Sequence, residues 1–188
     1  MDEGFSKRSF DVAGALGGLL FFAPAMAATA LAILLEDGRP ILFRQQRLGH
    51  RRRPFIILKF RSMRDGRVTR VGRVLRATGL DELPQFVNIL RGELSAVGPR
   101  PLTSADAERL GWSDAAYDFR WSVPPGLTGL AQIVGSRGAR QALFLDRRYI
   151  EGRSLLLDLR LIALSFAVNA LGKKRMRRLL LRRQAPVA

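Results

Sequence analysis

The feature that most constrains this chain is an unbroken apolar segment near its N-terminus. Residues 12–35 form a run of 24 positions without an ionisable side chain. As one helix the run would be about 36 Å long at about 1.5 Å per residue, which is enough for a bilayer core of about 30 Å. It is too long for the core of a secretory signal and leads into more apolar sequence. We therefore expect a membrane anchor.

The course of this segment through the membrane is a separate question. Pro24 stands at its centre, where it removes one backbone hydrogen bond and predicts a kink. Lys7 and Arg8 precede the segment and six arginines lie between residues 39 and 53, so both flanks favour the cytoplasmic side. Two arms of roughly 18 Å, bent at Pro24, could return to the side of entry. Since spanning helices also kink at proline, the residues alone leave both topologies open.

The charge balance indicates the chemistry of the partner. Thirty-two Lys and Arg against 16 Asp and Glu give a formal charge of +16, which favours a phosphate-bearing partner such as nucleotide, nucleic acid or anionic lipid. An apolar share of 47% argues against disorder. The chain has no cysteine and one histidine, His50, which excludes disulfides and thiolate metal sites and disfavours zinc sites and Ser-His-Asp catalysis.

The sequence pattern predicts short strands and helices in the rest of the chain. Two β-like runs, 41–44 and 54–61, precede a helix that starts near Asp81. A Gly/Pro loop over 92–101 leads to short helices at 104–110 and 113–121, with Ser104 and Ser113 as expected caps. Residues 154–171 form an apolar helix with a narrow polar stripe, typical of a core or membrane-interfacial helix. Seven basic residues between 173 and 183 predict contact with anionic lipid or a solvated tail.

A tandem acidic pair, Asp81 and Glu82, is the strongest candidate for chemistry. Acidic residues at a helix start can simply stabilise it. Five nearby cations suggest instead a phosphate site: Lys59, Arg61, Arg73, Arg76 and Arg100. Mg²⁺ prefers one or two carboxylates together with substrate phosphate oxygens, so Asp81 and Glu82 could hold it. An aspartate can also attack phosphorus and form an acyl phosphate.

Three further motifs remain open between structure and function. The sequence over 98–101 is either a rigid turn or a phosphate-binding loop with Arg100. The glycines of 126–129 form a turn that could cradle phosphate. Asp146 and Tyr149 share one helix face at i and i+3, where they either contact substrate or pack between helices.

Several motifs, in order along nearly the whole chain, resemble the bacterial sugar transferase family, the monotopic polyprenyl-phosphate phosphoglycosyl transferases. The resemblance runs from residue 7 to residue 171 and includes the proline-broken apolar segment. The motifs are KRSFD (7–11), KFRSM (59–63), LDELPQFVNILRGELSAVGPRP (80–101), PPGLTGLAQIVG (124–135) and DRRYIEGRSLLLDLRL (146–161). The combination of DELPQ with GPRP is highly specific.

The resemblance implies an enzyme that moves a sugar 1-phosphate from a UDP-sugar to polyprenyl (undecaprenyl) phosphate and releases UMP. This would be the first membrane step of bacterial glycoconjugate or exopolysaccharide assembly. Asp81 would be the nucleophile, Glu82 would hold Mg²⁺ or position Asp81, and Pro24 would break a re-entrant helix. Cations matching the phosphate-binding region are Lys59, Arg61, Arg76 and Arg100. Ala23 and Gly79 stand where serine is frequent, so we expect a less fixed bend and weaker capping.

We therefore predict an α+β, mainly helical, monotopic membrane protein. Its parts would be a re-entrant helix (1–38), a small catalytic region with interfacial amphipathic helices (39–172) and a basic tail (173–188), as in the minimal form of the family. The implied partners are a UDP-sugar, polyprenyl phosphate and anionic lipids at the cytoplasmic face of the bacterial inner membrane, without nucleic acid; a homodimer stays open. The alternative is a non-enzymatic, arginine-rich protein that binds membrane or nucleic acid.

Overall fold

The computed structural model describes residues 3–136 and 138–171, and the basic tail lies outside them. The described chain is mainly helical with small two-stranded sheets, as the sequence predicts. The helices are α1 (Glu3–Asp37), α2 (Arg70–Thr78), α3 (Gln85–Arg91), α4 (Ser104–Arg109), α5 (Leu130–Val134), α6 (Ala139–Gly152) and α7 (Leu155–Leu171). The strands are β1 (Leu42–Leu48), β2 (Pro54–Phe60), β3 (Met63–Arg64), β4 (Arg67–Val68), β5 (Ser95–Val97) and β6 (Gly126–Thr128).

Helix α1 holds the apolar segment and is long and apolar enough to cross a membrane by length and composition. It is helical on both sides of Pro24 and through it, so the re-entrant path stays a prediction. One stripe of α1 packs on the rest of the chain at helical spacing, with Asp11, Ala15 and Ile33 buried. The other faces expose large apolar side chains: Leu16, Leu20, Phe21, Leu31, Leu34 and Leu35.

Both ends of α1 are tied to the same globular body. Near its start, the Arg8 guanidinium donates to the carbonyls of Ile89 and Leu90 at 2.5 and 2.7 Å. At its end, the Glu36 carboxylate accepts from the amides of Arg70 and Val71 at 2.8 and 2.9 Å. Glu36 thereby satisfies free amides in the first turn of α2. The long helix therefore lies along the body.

The body is assembled around the antiparallel hairpin β1–β2 and helix α3. Asn88 of α3 is fully buried and joins the two elements. Its Oδ1 accepts from the Leu58 amide at 3.0 Å, and its Nδ2 donates to the Ile56 carbonyl at 2.7 Å. These bonds fix α3 against β2, and the first gives the buried Leu58 amide a partner.

A parallel pair, β5 and β6, supports the other side of the body. Helices α6 and α7 pack against it, and the Tyr149 hydroxyl donates to the Val97 carbonyl while lying 2.9 Å from the Asp158 carboxylate. Asp158 also pairs with Lys7 of α1 at 2.9 Å. The polar stripe of the last helix therefore begins in the core at Asp158, whereas Leu156 on the same helix is exposed.

Two local expectations, the helix caps and the helix start near Asp81, were wrong in detail. Thr103 and Asp114, not Ser104 and Ser113, cap their segments, because Thr103 Oγ1 and an Asp114 carboxylate oxygen accept the free amides. The second predicted short helix is present as a 3₁₀ helix, Ala115–Trp121. The regular helix α3 begins after Pro84, since proline is tolerated at a helix start and not inside it.

Candidate active site

The acidic pair lies in a tight turn between α2 and α3. Gly79 ends α2 with a φ of 77°, a left-handed conformation that glycine adopts most easily. A single 3₁₀ turn, Leu80–Glu82, follows directly and carries both acids. Glycine at position 79, where serine is frequent, was expected to weaken capping. The structure shows that it also provides the sharp turn that presents Asp81.

Glu82 and Lys59 form an ion pair at the edge of this turn. Lys59 Nζ, near the end of β2, lies 2.5 Å from Glu82 Oε1. The Lys59 side chain is partly buried, and an ion pair held in that environment is screened less than one on the open surface. Lys59 is thus brought to the acidic pair, as the sequence predicts.

Asp81 is half-buried, and its surroundings work against its ionisation. Burial raises the pKa of its carboxyl group above the usual value, and the adjacent negative charge of Glu82 raises this pKa further. The positive charges of Lys59 and Arg76 lower the same pKa and limit the rise. Perturbed carboxylates with a specific charged neighbourhood are typical of functional sites.

Helix α2, which carries Arg76, packs closely on the loop after β2. A Cβ added to Gly72 would lie 2.0 Å from the Ser62 carbonyl oxygen, so the helix approaches that loop by its backbone. The Thr69 hydroxyl caps α2 by accepting from the Gly72 amide at 2.9 Å. Arg76 itself is exposed and available to a ligand.

Arg61 and Arg100 are placed differently from Lys59 and Arg76. The Arg61 guanidinium pairs with Asp37 at 3.2 Å and donates to the carbonyls of Asp37 and Gly38, so it joins the end of α1 to β2. Arg100 is exposed on the loop after β5. It lies near Arg47, whose pKa is lowered chiefly by burial and further by the charge of Arg100.

A buried arginine that the sequence analysis missed supports the Arg100 loop. Arg120 Nη2 donates to the Arg100 carbonyl at 2.6 Å, and Arg120 Nε pairs with Asp146 at 2.8 Å. Its guanidinium also lies over the rings of Trp112 and Trp121, 5.2 and 5.0 Å from their centroids. The aromatic residues around Arg120 in YDFRW were the available signal for a buried cation.

Two of the motifs that the sequence leaves open have structural roles. Asp146 and Tyr149 are buried and bonded within the protein. The stretch 126–129 contains β6, and a Cβ on Gly126 would lie 2.0 Å from the Gly98 amide nitrogen. The glycines there allow two backbones to pack against each other.

The acidic pair fits Mg²⁺ held together with a substrate phosphate. Within residues 3–136 and 138–171, no group of three or more His, Asp or Glu side chains is arranged to hold a metal. Asp81 and Glu82 offer two adjacent carboxylates, and Lys59 already occupies one oxygen of Glu82. Mg²⁺ commonly takes one or two carboxylates and fills its other positions with water and phosphate oxygens, so this donor set suits it.

Comparison with known proteins places the chain in a family. The UDP-glucose:undecaprenyl-phosphate glucose-1-phosphate transferase of Caulobacter vibrioides is 44% identical over 177 residues, covering 83% of this chain and 66% of that protein. The protein of the same name from Escherichia coli K12 is 39% identical over 180 residues, covering 85% of this chain and 39% of that protein.

A third relative is closer in length. The exopolysaccharide production protein PSS of Rhizobium leguminosarum biovar phaseoli is 38% identical over 183 residues, covering 83% of this chain and 90% of that protein. The chain therefore spans about two thirds of the Caulobacter relative and well under half of the E. coli relative. A family model, described as bacterial sugar transferase, matches residues 2–171. The resemblance drawn from the motifs is thus confirmed, and the chain belongs to the bacterial sugar transferase family.

Proposed function

We propose that this protein is a phosphoglycosyl transferase that uses Asp81 as its nucleophile. Its donor would be a UDP-sugar and its acceptor undecaprenyl phosphate, in agreement with the names of its relatives. The observation that carries the proposal is the half-buried Asp81 carboxylate, whose pKa is raised by burial and by Glu82 while Lys59 and Arg76 stand beside it. A more basic carboxylate is a better nucleophile once ionised, and the cations suit a phosphate.

The first step is displacement at the β-phosphorus of the donor. An Asp81 oxygen forms a bond to phosphorus, and the bond from that phosphorus to the oxygen bridging to UMP breaks. UMP leaves with the electron pair, and an aspartyl phosphosugar remains. Charge is conserved without proton transfer, so a chain whose single histidine lies at position 50 can carry out this chemistry.

The second step transfers the phosphosugar to the lipid. An oxygen of undecaprenyl phosphate forms a bond to the same phosphorus, and the bond to Asp81 breaks. The products are the polyprenyl-diphosphate sugar and the free carboxylate. Arg76 and Lys59 stabilise the phosphoryl oxygens in both steps, where charge is spread over several oxygens.

Asp81 and Glu82 would hold Mg²⁺ against the donor diphosphate. When bound, the metal supplies positive charge that stabilises the transferring phosphoryl group. Lys59 keeps Glu82 oriented through the ion pair. Arg100 would contribute a further exposed cation on the loop after β5, and Arg61 fixes the end of α1 beside β2.

We further propose that α1 enters and leaves the membrane on one side, at the cytoplasmic face of the bacterial inner membrane. Its two ends, through Arg8 and Glu36, bond to the same body, which is hard to reconcile with ends on opposite faces. Its exposed leucine and phenylalanine side chains would lie in lipid, together with exposed apolar residues of α7. The catalytic turn would then stand at the membrane surface, where soluble donor and lipid acceptor meet.

The experiment is a two-stage assay of purified protein in nanodiscs. With UDP-sugar and Mg²⁺ alone, the protein should release about one UMP per active site and retain radiolabel from the sugar phosphate. Added polyprenyl phosphate should remove the label as lipid-linked sugar. Asp81→Asn should abolish the burst, and Asp114→Asn, which changes an exposed carboxylate in another segment, should not. Undiminished UMP release from Asp81→Asn would contradict the proposal.

The rival function, an arginine-rich protein that only binds anionic surfaces, predicts the opposite pattern. Its binding would weaken steeply with salt and be unaffected by Mg²⁺ or by Asp81→Asn. The family membership and the perturbed carboxylate favour the enzyme.

A further inference from the structure

An apolar groove runs between α1 and α2 and ends at the catalytic turn. Its volume is about 290 Å³. One wall is Ala28, Thr29 and Ala32 of α1, the other is Val71, Val74 and Leu75 of α2, and Leu80 closes it. The side chains lining it are aliphatic apart from one threonine, which is typical of a site for hydrocarbon.

The space between the two walls of the groove results from small side chains on α1. Ala28 and Ala32 are four residues apart and therefore lie one above the other on one face of α1. Their methyl groups face the branched side chains of Val71 and Val74, and Val74 is 58% exposed. An exposed valine beside small residues leaves apolar surface uncovered within the groove.

The groove is continuous with the apolar surface of α1. Leu31 lies three residues from Ala28, and Leu35 lies three residues from Ala32, so each is a neighbour on the helix surface. Leu31 is 54% exposed and Leu35 77% exposed. A hydrocarbon chain lying along these leucines in lipid can enter the groove without crossing polar surface.

The closed end of the groove is adjacent to the proposed nucleophile. Leu80 begins the 3₁₀ turn, and Asp81 is the next residue. On the opposite wall, Leu75 is followed by Arg76, whose charge acts on Asp81. On both elements, an apolar side chain that lines the groove is therefore followed directly by a residue of the proposed phosphate site.

We propose that this groove binds the isoprenoid units of the acceptor that lie next to its phosphate. The placement rests on the proposed function and adds the subsite for the lipid. A molecule with a phosphate at the end of a long hydrocarbon matches the order of the surface: apolar side chains along the groove, then Arg76 and Asp81. The groove holds the first part of the chain, and the rest lies in the bilayer against α1.

The kinetic test uses Ala32→Phe, which fills the groove, and Ala27→Phe, a change of the same size at an exposed position of α1 outside it. In wild-type protein, the UMP burst with UDP-sugar alone reports the first step; its absence would refute the proposed function itself. For Ala32→Phe we expect an unchanged burst and a KM for polyprenyl phosphate raised about tenfold, a difference of about 1.4 kcal/mol. Ala27→Phe should leave both unchanged. An unchanged acceptor KM in Ala32→Phe would overturn the groove proposal.

A second measurement decides the matter if Ala32→Phe also loses its burst. Wild-type protein in nanodiscs is irradiated with a polyprenyl phosphate that carries a diazirine in its first isoprene units. Labelling of residues 28–32 or 71–75, displaced by unlabelled polyprenyl phosphate and not by phosphatidylglycerol, supports the proposal. Labelling elsewhere, or equal displacement by phosphatidylglycerol, overturns it in favour of another lipid site or a phospholipid acyl chain.

Discussion

Lys59 Nζ lies 2.5 Å from Glu82 Oε1, so a cation at the acidic turn is paired with the neighbour of the proposed nucleophile. The two residues have opposite effects on the pKa of Asp81: Glu82 raises it, and Lys59 lowers it. The turn therefore holds Asp81 between two opposed influences, and each can be removed separately.

The first prediction follows from this opposition. Asp81 must be ionised to attack, so activity should fall on the acid side as its carboxylate is protonated. Glu82→Gln removes a negative neighbour and should move this limb of the pH profile to lower pH. Lys59→Met removes a positive neighbour and should move it to higher pH. The measurement is the pH dependence of the UMP burst.

Lys59→Arg is the matched control, because it keeps the positive charge and should shift the limb least. The maximal rate should fall in all three variants, since each alters the phosphate surroundings. Shifts of Glu82→Gln and Lys59→Met in the same direction would contradict the assignment of the limb to Asp81.

The second prediction separates activity from stability. The folded-state pKa of Asp81 is raised, so its ionised form destabilises the fold at neutral pH, and this destabilisation is relieved as pH falls below the folded pKa. Asp81→Asn removes the charge and should raise Tm at pH 7.5 while lowering activity at least about a thousandfold. The gain in Tm should shrink at acid pH. A variant less stable than wild type at neutral pH would show that the charge stabilises the fold.

Much of this architecture can be predicted from the sequence, and the exceptions have physical causes. The two strands β1 and β2 follow from local patterns, and Pro84 limits where α3 can begin, whereas α2 and the turn that follows Gly79 were not predicted. The placement of Arg61 and Arg100 depends on which partner each long side chain meets, and sequence spacing does not contain that information. The burial of Arg120 was not predicted because its partners, the Arg100 carbonyl and Asp146, lie 20 and 26 residues away in the sequence.

The third prediction concerns Asn88. Its side chain bonds the buried amide of Leu58 and the partly buried carbonyl of Ile56, both in β2. Asn88→Ala removes both bonds, leaves the Leu58 amide buried without this partner, and should lower the free energy of unfolding by about 2 kcal/mol. Thermal unfolding in nanodiscs measures this effect. Gln46→Ala, at an exposed position of β1, is the control and should change stability by less than about 0.5 kcal/mol.

The fourth prediction treats Arg120 as a positioning residue for the Arg100 loop. Arg120→Lys keeps the charge but loses the fork that bonds the Arg100 carbonyl and Asp146 together. If the Arg100 loop binds the donor without reacting, as the sequence resemblance implies, KM for the UDP-sugar should rise about tenfold with a smaller change in kcat. The exposed Arg109→Lys should leave both constants unchanged. A loss of stability with an unchanged KM would assign Arg120 to packing alone.

The fifth prediction tests whether α2 must approach the loop after β2 by its backbone. A methyl group at position 72 would lie 2.0 Å from the Ser62 carbonyl oxygen, and backbone has little freedom to withdraw. Gly72→Ala should therefore displace α2, move Arg76 from Asp81 and lower both stability and the rate of the UMP burst. Gly14→Ala, on α1 with no atom near the added methyl group, should leave the burst unchanged. A Gly72→Ala protein with wild-type burst kinetics would mean that the position of α2, and with it the charge of Arg76, does not limit the first step.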